Sequence, residues 1–308
     1  MNRILSIDIG GTAAKYGLVT RDGRILARHE AGVRFDGYRT PLLTTVLREA
    51  RAFVSREGAS PCGVGISATG QIDDRAGVVI GTNGKIPGYE GARLCDSAQE
   101  AFGVPAAALN DANAAALGEW FAGRGRGCEH LLMVTLGTGV GGGIVEHGRV
   151  LGGARGIAGE LGHFTLYQDG APCPCGKRGC FESYASTTAL VRAARERFGD
   201  AALDGRAVFA RAAAGDEGML ALLEGWIDDI AAGLSGLVHI FNPELVLIGG
   251  GVSAQEQLLI EPLRARVLAQ VMPRFAEGLR IERALLGNDA GLIGAARFLL
   301  DRFPALDR

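Results

Sequence analysis

Three cysteines crowd together near the middle of the chain at a spacing that suits a metal ion. Cys173, Cys175 and Cys180 lie in the segment CPCGKRGC, whereas the other cysteines are scattered. The chain begins MNRILSIDIGG, a strand pattern rather than a signal peptide, and clustered cysteines in a cytosolic chain favour metal ligation over disulfide bonds. Redox-active or simply buried thiols are the weaker alternative, because Cys-x-Cys is an unusual redox pair.

Glycine turns follow apolar, strand-like segments at three places. The segments are ILSIDIGGT at 4–12, LLMVTLGTGVGGGIV at 131–145 and LVLIGGGV at 245–252. Glycine lets the backbone approach an anion closely and accepts positive φ, so successive N–H groups can converge on phosphate oxygens. A single turn of this kind is most simply read as a tight hairpin. Three turns of matching design predict phosphate binding.

The elements around the turns indicate the fold. The first two turns lead into a second strand, at 13–20 and 141–151, whereas Rossmann and P-loop sites need the turn to open a helix. Strand, turn and strand occurring twice predict a duplicated α/β unit led by a β-hairpin, one unit in each domain.

Further strands and helices follow from the hydrophobic pattern. A buried strand is predicted at 62–70, and within 106–121 a short strand runs into a helix capped by Asn110 or Asp111. Asn242 and Pro243 should end the longest of the later helices. Those later helices are predicted at 186–198, 217–241, 257–271 and 290–300.

Size and charge narrow the class of ligand. At 308 residues the chain is long enough for two domains with a cleft between them. Its 32 Lys and Arg against 34 Asp and Glu give no electrostatic reason to bind nucleic acid or an anionic membrane. No apolar run approaches the roughly 20 residues that span a bilayer. We therefore expect a small neutral or anionic ligand, and neither nucleic acid nor membrane as a partner.

A series of motifs, taken together, identifies a family resemblance. The motifs are DIGGT at 8–12, LNDAN at 109–113, LGTGVGGG at 136–143, GELGH at 159–163 and CPCGKRGCFE at 173–182. They resemble the ROK family (repressors, uncharacterised frames and sugar kinases) nearly end to end, and CxCGxxGCxE is highly specific. The resemblance implies the actin-like ATPase (ribonuclease H-like) duplicated α/β fold, with two lobes around a cleft that holds ATP and a sugar.

The lobes can be placed on the sequence. We expect an N-terminal lobe at 1–116 with the C-terminal helix, 291–308, packing back on it, and a C-terminal lobe at 117–290. Because the first strand begins at Ile4, we expect no helix-turn-helix of the kind that the family's repressors carry ahead of it.

The resemblance and the needs of phosphoryl transfer assign the contacts to ATP and Mg²⁺. Asp8 would hold Mg²⁺ directly or through water, and Gly10, Gly11 and Thr12 would meet the β- and γ-phosphates. Lys15 either adds positive charge there or is a solvated hairpin lysine. The later turns supply the remaining ATP contacts, the phosphate-facing Gly137, Thr138 and Gly139 and the adenosine-facing Gly249, Gly250 and Gly251.

Asp111 is the predicted base, since the family's catalytic aspartate occupies this Asn-Asp position. Its other possible role is to cap the helix, and the two roles are compatible. An ordinary carboxylate suffices because the sugar hydroxyl becomes acidic as its bond to phosphorus forms. By the same resemblance, the sugar-binding residues are Gly70, Asn83, Asn110, Asp111, Glu160, His163 and Glu182.

His163 completes the predicted metal site. With Cys173, Cys175 and Cys180 it gives one nitrogen and three sulfurs, the ligand set of a closed tetrahedral zinc site. We expect a structural Zn²⁺ that fixes the loop carrying Glu182. Disrupting the site should then weaken sugar binding and leave the ATP contacts unchanged.

The predicted function is ATP-dependent phosphorylation of a hexose, at O6 of glucose, by a glucokinase-like enzyme that is cytoplasmic and homodimeric. Kinases of N-acetylglucosamine, N-acetylmannosamine or fructose are alternatives within the family, and Glu160 in GELGH favours glucose or N-acetylglucosamine. A catalytically silent sugar-sensing regulator is the alternative from another class, which Asp111 disfavours. An actin-like filament or chaperone ATPase needs no zinc-bound sugar loop.

Overall fold

Each of the first two glycine turns joins two strands of a sheet, as the sequence predicts. The computed structural model describes residues 3–34, 36–82, 84 and 86–307. Its strands are β1 (Arg3–Ile9), β2 (Ala13–Val19), β3 (Ile25–Gly32), β4 (Pro61–Ala68), β5 (Gln71–Asp73), β6 (Val78–Gly81), β7 (Ala106–Asn110), β8 (His130–Leu136), β9 (Val140–Glu146), β10 (Arg149–Val150), β11 (Leu245–Gly249) and β12 (Arg280–Arg283).

Two five-stranded sheets have the same plan. The first has the order β3-β2-β1-β4-β7, with β1 antiparallel to β2 and β4 parallel to both β1 and β7. The second has the order β10-β9-β8-β11-β12, with β11 parallel to β8 and β12. In both, a hairpin-connected pair is followed by parallel strands reached through helices, which is the duplication that the sequence predicts. Strands β5 and β6 form a small separate sheet.

Helices connect the strands. They are α1 (Leu42–Arg56), α2 (Leu94–Phe102), α3 (Asp111–Ala122), α4 (Glu182–Ala185), α5 (Thr187–Phe198), α6 (Gly205–Ala213), α7 (Glu217–Phe241), α8 (Glu261–Gln270), α9 (Pro273–Ala276) and α10 (Ala290–Arg302). Among the residues described, no helix combines the length and the apolar character needed to cross a bilayer.

Local sequence signals set the end of α7 and the start of α8. Helix α7 ends where Asn242 adopts the left-handed conformation, with Pro243 next, as predicted. The helix predicted over 257–271 is present, but in two parts. A π-helical turn at Glu256–Ile260 precedes α8, and Pro262 occupies the first turn of α8, where its missing N–H costs nothing.

The chain divides into two compact units. One contains Met1–Gly127, Gly143–Gly159 and Leu285–Arg308, and the other contains Cys128–Gly142 and Glu160–Ala284. The boundary expected after residue 116 falls inside α3, which the first unit contains whole. The first unit therefore continues past α3 into a glycine-rich segment that ends at residue 127.

Close helix contacts build the core of the first unit. Helix α10 packs against α3 and against β1, β4 and β7. A Cβ added at Gly294 would overlap the carbonyl oxygen of Ala114, and one at Gly118 would overlap that of Ala290. These small residues therefore allow α3 and α10 to pack closely. In the second unit, α7 packs against α4, α5, α6 and α8.

Candidate active site

The first glycine turn lies between β1 and β2 in the first unit. Gly10 N donates to Ala13 O at 3.0 Å, and Val33 N donates to Thr12 O at 3.0 Å. The Tyr38 hydroxyl donates to Gly11 O. These bonds fix the backbone of residues 10–12, where Gly10 and Gly11 are partly buried and Thr12 is exposed.

Asp8 stands at the end of β1, next to that turn. Ser67 Oγ donates to Asp8 Oδ1 at 2.6 Å, and Lys15 Nζ is 3.5 Å from Asp8 Oδ2 and 3.5 Å from Asn288 Oδ1. Lys15 is therefore paired within its own unit. The fully buried Ser67 fixes the carboxylate from the neighbouring strand β4. Sequence reasoning missed Ser67, although a serine within a buried strand signals a polar partner.

The junction of β7 and α3 orients the predicted base. Asn110, not Asp111, is the N-cap: its side-chain oxygen accepts from Ala112 N at 2.9 Å and from Asn113 N at 3.2 Å. Asp111 is the first helical residue, and its Oδ1 accepts from Ala112 N at 2.8 Å and from Asn110 Nδ2 at 3.0 Å. Of the two capping residues predicted, Asn110 or Asp111, the structure has Asn110, whose extended backbone places it in the capping position.

Of the two other residues of the first unit that are predicted to bind sugar, Gly70 and Asn83, the structure describes only Gly70. Gly70 has φ 96°, and an added Cβ would lie 2.8 Å from Gly81 O. Its own carbonyl accepts from Asn110 Nδ2 at 2.9 Å, so Gly70 and Asn110 are brought together. Asn83 lies outside the described residues.

The second glycine turn lies between β8 and β9 in the second unit. Gly137 N donates to Gly139 O at 2.9 Å, and Val140 N donates to Glu182 Oε2 at 2.9 Å. A Cβ at Gly139 would overlap that carboxylate oxygen, so a larger residue there would have to displace the end of the Glu182 side chain. Glu182, predicted from the sequence to bind sugar, thus contacts the predicted phosphate turn.

The third glycine turn follows β11. Gly250 has φ 88°, and an added Cβ there would overlap the carbonyl of Leu136. Gly251 begins a 3₁₀ turn that extends to Ala254. A strand running into this turn was expected, and the contact of residues 249–251 with adenosine stays a prediction.

Glu160 directly precedes a short 3₁₀ turn at Leu161–His163, and His163 is the last residue of that turn. His163 N donates to Glu160 O at 3.0 Å, and His163 Nε2 is 4.0 Å from Glu160 Oε2. The two predicted sugar-binding side chains therefore lie side by side.

The predicted metal ligands converge in the second unit. One donor atom from each of His163, Cys173, Cys175 and Cys180 lies within 4.8 Å of all the others. His163 Nδ1 is 3.6 Å from Cys173 Sγ, and Cys175 Sγ is 3.5 Å from Cys180 Sγ. Thiolates bound tetrahedrally to one zinc ion stand about 3.8 Å apart, whereas a disulfide needs about 2 Å. The donor set and its spacing therefore fit zinc.

Two further features of this cluster are the raised pKa of Cys180 and a hydrogen bond from Lys177. Burial and the neighbouring thiols raise the pKa of Cys180 to about 12, so a metal ion would have to displace its proton. Lys177, which lies between the cysteines, donates from Nζ to His163 O at 2.9 Å. This bond ties the tip of the cysteine loop to the histidine backbone.

Comparison with known proteins gives a consistent result. The protein-family model described as "ROK family" matches residues 4–302 of this chain. A glucokinase of Thermotoga maritima is 36% identical over 313 residues, covering 97% of this chain and 98% of that protein. A glucokinase of Halalkalibacterium halodurans is 37% identical over 309 residues, covering 94% and 92%. The structure of a ROK family glucokinase from Streptomyces griseus, in complex with glucose and AMPPNP, has a TM-score of 0.79 and 32% identity, covering 96% and 98% of the two chains.

Proposed function

The chain belongs to the ROK family, and we propose that it transfers the γ-phosphoryl group of ATP to O6 of glucose with Asp111 as the base. It has the duplicated α/β fold of the actin-like ATPases and is an ATP-dependent sugar kinase. Glucose is the preferred acceptor because two relatives that are 36% and 37% identical to this chain are glucokinases. Phosphorylation of N-acetylglucosamine, N-acetylmannosamine or fructose is the alternative outcome.

The start of α3 supports Asp111 as the base. Its carboxylate is aimed by two hydrogen bonds to Oδ1, from Ala112 N and Asn110 Nδ2. Asn110 is itself fixed by capping the helix and by donating to Gly70 O. A base held in one orientation needs no reorganisation when the hydroxyl attacks phosphorus, and it accepts the proton as that hydroxyl becomes acidic.

The nucleotide would be bound by the glycine turns. We assign the β- and γ-phosphates to Gly10–Thr12 and to Gly137–Gly139, with adenosine at Gly249–Gly251. Asp8 offers the hard carboxylate oxygen that Mg²⁺ prefers, and Lys15 beside it adds positive charge. When bound, Mg²⁺ neutralises charge on the phosphates.

The sugar would be held by carboxylates and amides that replace water around its hydroxyls. We assign this role to Gly70, Asn83, Asn110, Asp111, Glu160, His163 and Glu182. The adjacency of Glu160 and His163 supports the part of this set in the second unit.

Zinc would be held by His163, Cys173, Cys175 and Cys180 as a structural ion, since four protein ligands close a tetrahedral site. It would hold the loop that leads to Glu182. A homodimer and a cytoplasmic location stay predictions.

The test is an ADP-release assay over glucose, N-acetylglucosamine, N-acetylmannosamine and fructose, run on the wild type and on Asp111→Asn. We expect glucose to be the best acceptor and the variant's kcat to fall by at least ~10²-fold with glucose affinity retained. Asp96→Asn is the matched control, because Asp96 is also a first-turn aspartate, in α2. Near wild-type kcat in Asp111→Asn would remove it from the role. ATP turnover with none of the sugars would favour the silent regulator.

A further inference from the structure

The second glycine turn is fastened to the segment 182–188 at successive residues. Thr187 N donates to Gly137 O at 2.9 Å, Thr188 Oγ1 donates to Thr138 O at 2.7 Å, and Val140 N donates to Glu182 Oε2 at 2.9 Å. Gly139 lies directly against the Glu182 carboxylate. These partners are more than 40 residues away in sequence, and none of the three bonds belongs to a sheet or helix.

The bonds fix the direction of the backbone N–H groups in the turn. In a trans peptide the C=O and the following N–H point in opposite directions, and no peptide bond in the described chain is cis. With Gly137 O directed at Thr187, Thr138 N–H points away from segment 182–188. With Thr138 O directed at Thr188, Gly139 N–H does the same. Two successive N–H groups that face one side make a concavity for an anion.

Segment 182–188 is itself firmly held. It follows Cys180 and Phe181, and Phe181 is fully buried between Phe164, with ring centroids 5.1 Å apart, and the backbone of α7 at Gly233. Phe181 N also donates to Phe164 O at 3.0 Å. The next residues therefore start from a fixed point beside the cysteine cluster, and Ser186 caps α5 immediately before the two threonines.

We propose that Thr188 is a positioning residue for the nucleotide, acting by holding the Thr138 carbonyl so that Gly139 N–H faces the phosphate tail. This rests on the proposed function, in which residues 137–139 bind ATP. The loop that carries His163 and the three clustered cysteines then supports the glycine turn at 137–139 as well as the residues proposed to bind sugar. Disturbing that loop should weaken both substrates, in contrast to the expectation from sequence that ATP contacts stay unchanged.

The experiment compares Thr188→Val, which removes the hydroxyl at nearly constant size, with Thr188→Ser, which keeps it. Binding of Mg²⁺ with AMPPNP and binding of glucose are each measured by titration calorimetry, with KM and kcat for ATP alongside. Thr188→Val should raise Kd for AMPPNP and KM for ATP by about 3- to 10-fold, the value of one hydrogen bond, with glucose Kd unchanged. Thr188→Ser should return both to within about 2-fold.

Thr44→Val is the control, an exposed threonine near the start of α1 in the first unit. Since Thr188 is also exposed, the valine variant should fold, which a melting curve checks. Unchanged AMPPNP affinity in Thr188→Val, or equal losses for AMPPNP and glucose, would overturn the positioning role while leaving the kinase intact. A wild type that neither binds AMPPNP nor phosphorylates a sugar would overturn the proposed function, and this inference with it.

Discussion

Replacing Glu119 by glutamine should destabilise the first unit well beyond the effect of an ordinary surface change. Glu119 is fully buried in α3. Its Oε1 accepts from Leu285 N at 2.7 Å and from Leu286 N at 2.6 Å, and its Oε2 accepts from Arg124 N at 3.1 Å. One carboxylate therefore binds the backbone both just after α3 and just before α10.

The size of the effect follows from counting these bonds. Glutamine has one acceptor oxygen, so if that oxygen meets Leu285 and Leu286, its NH₂ group faces the N–H of Arg124, donor against donor. The two remaining bonds lose their charge-assisted part, about 1 kcal/mol each, and the third is replaced by an unsatisfied buried donor, at about 1–2 kcal/mol. The free energy of unfolding should fall by about 3–4 kcal/mol.

The assay is thermal unfolding, where 1 kcal/mol corresponds to about 2–4 °C for a domain of this size, so we expect a fall of roughly 6–16 °C. The control is Glu100→Gln, because Glu100 is exposed on α2 and its change should stay within about 0.5 kcal/mol. Equal melting temperatures for the two variants would refute the assignment of Glu119 as an anchor.

Three further outcomes are expected. Gly294→Ala should lower the free energy of unfolding by about 1–3 kcal/mol in urea, because its methyl group would overlap the Ala114 carbonyl; a neutral result would contradict the close helix packing. Ser67→Ala should raise the Mg²⁺ concentration for half-maximal activity by about 3- to 10-fold, because Asp8 loses a hydrogen bond donor; an unchanged requirement would count against Asp8 as the Mg²⁺ ligand. Elemental analysis should find one zinc per chain in the wild type and less in Cys175→Ser, which should also raise KM for both ATP and sugar; zinc-free wild type would exclude the structural ion.

The sequence by itself determined the features that depend on neighbouring residues. Glycine turns after apolar strands, the periodicity of α5 and α7 and the ending of α7 at Asn242 are local signals, because backbone conformation there is limited by the residues themselves. The motifs that resemble the ROK family are likewise short. They were sufficient to predict the family, the duplicated α/β fold and the sugar kinase activity, which the comparisons confirm.

The cysteine cluster was predicted only in part from the sequence. Its ligand types and spacing predicted a metal site from sequence, and the fold brings His163 and the three cysteines together. The sequence did not show that Lys177 binds the His163 carbonyl, because a lysine between two ligands looks like any solvated residue.

Only the tertiary structure decided which polar groups pair across long sequence distances. The sequence around Glu119 and Ser67 does not indicate which residue each one binds. Glu119 meets Leu285, and Ser67 meets Asp8, only when α10 and β1 are in place. The same holds for Thr188 and Thr138. The sequence left the cap of α3 open between Asn110 and Asp111, and it could not show that the Asn110 amide also donates to the carbonyl of Gly70. A side chain's type limits what it can bind, but packing of distant segments decides which partner it meets.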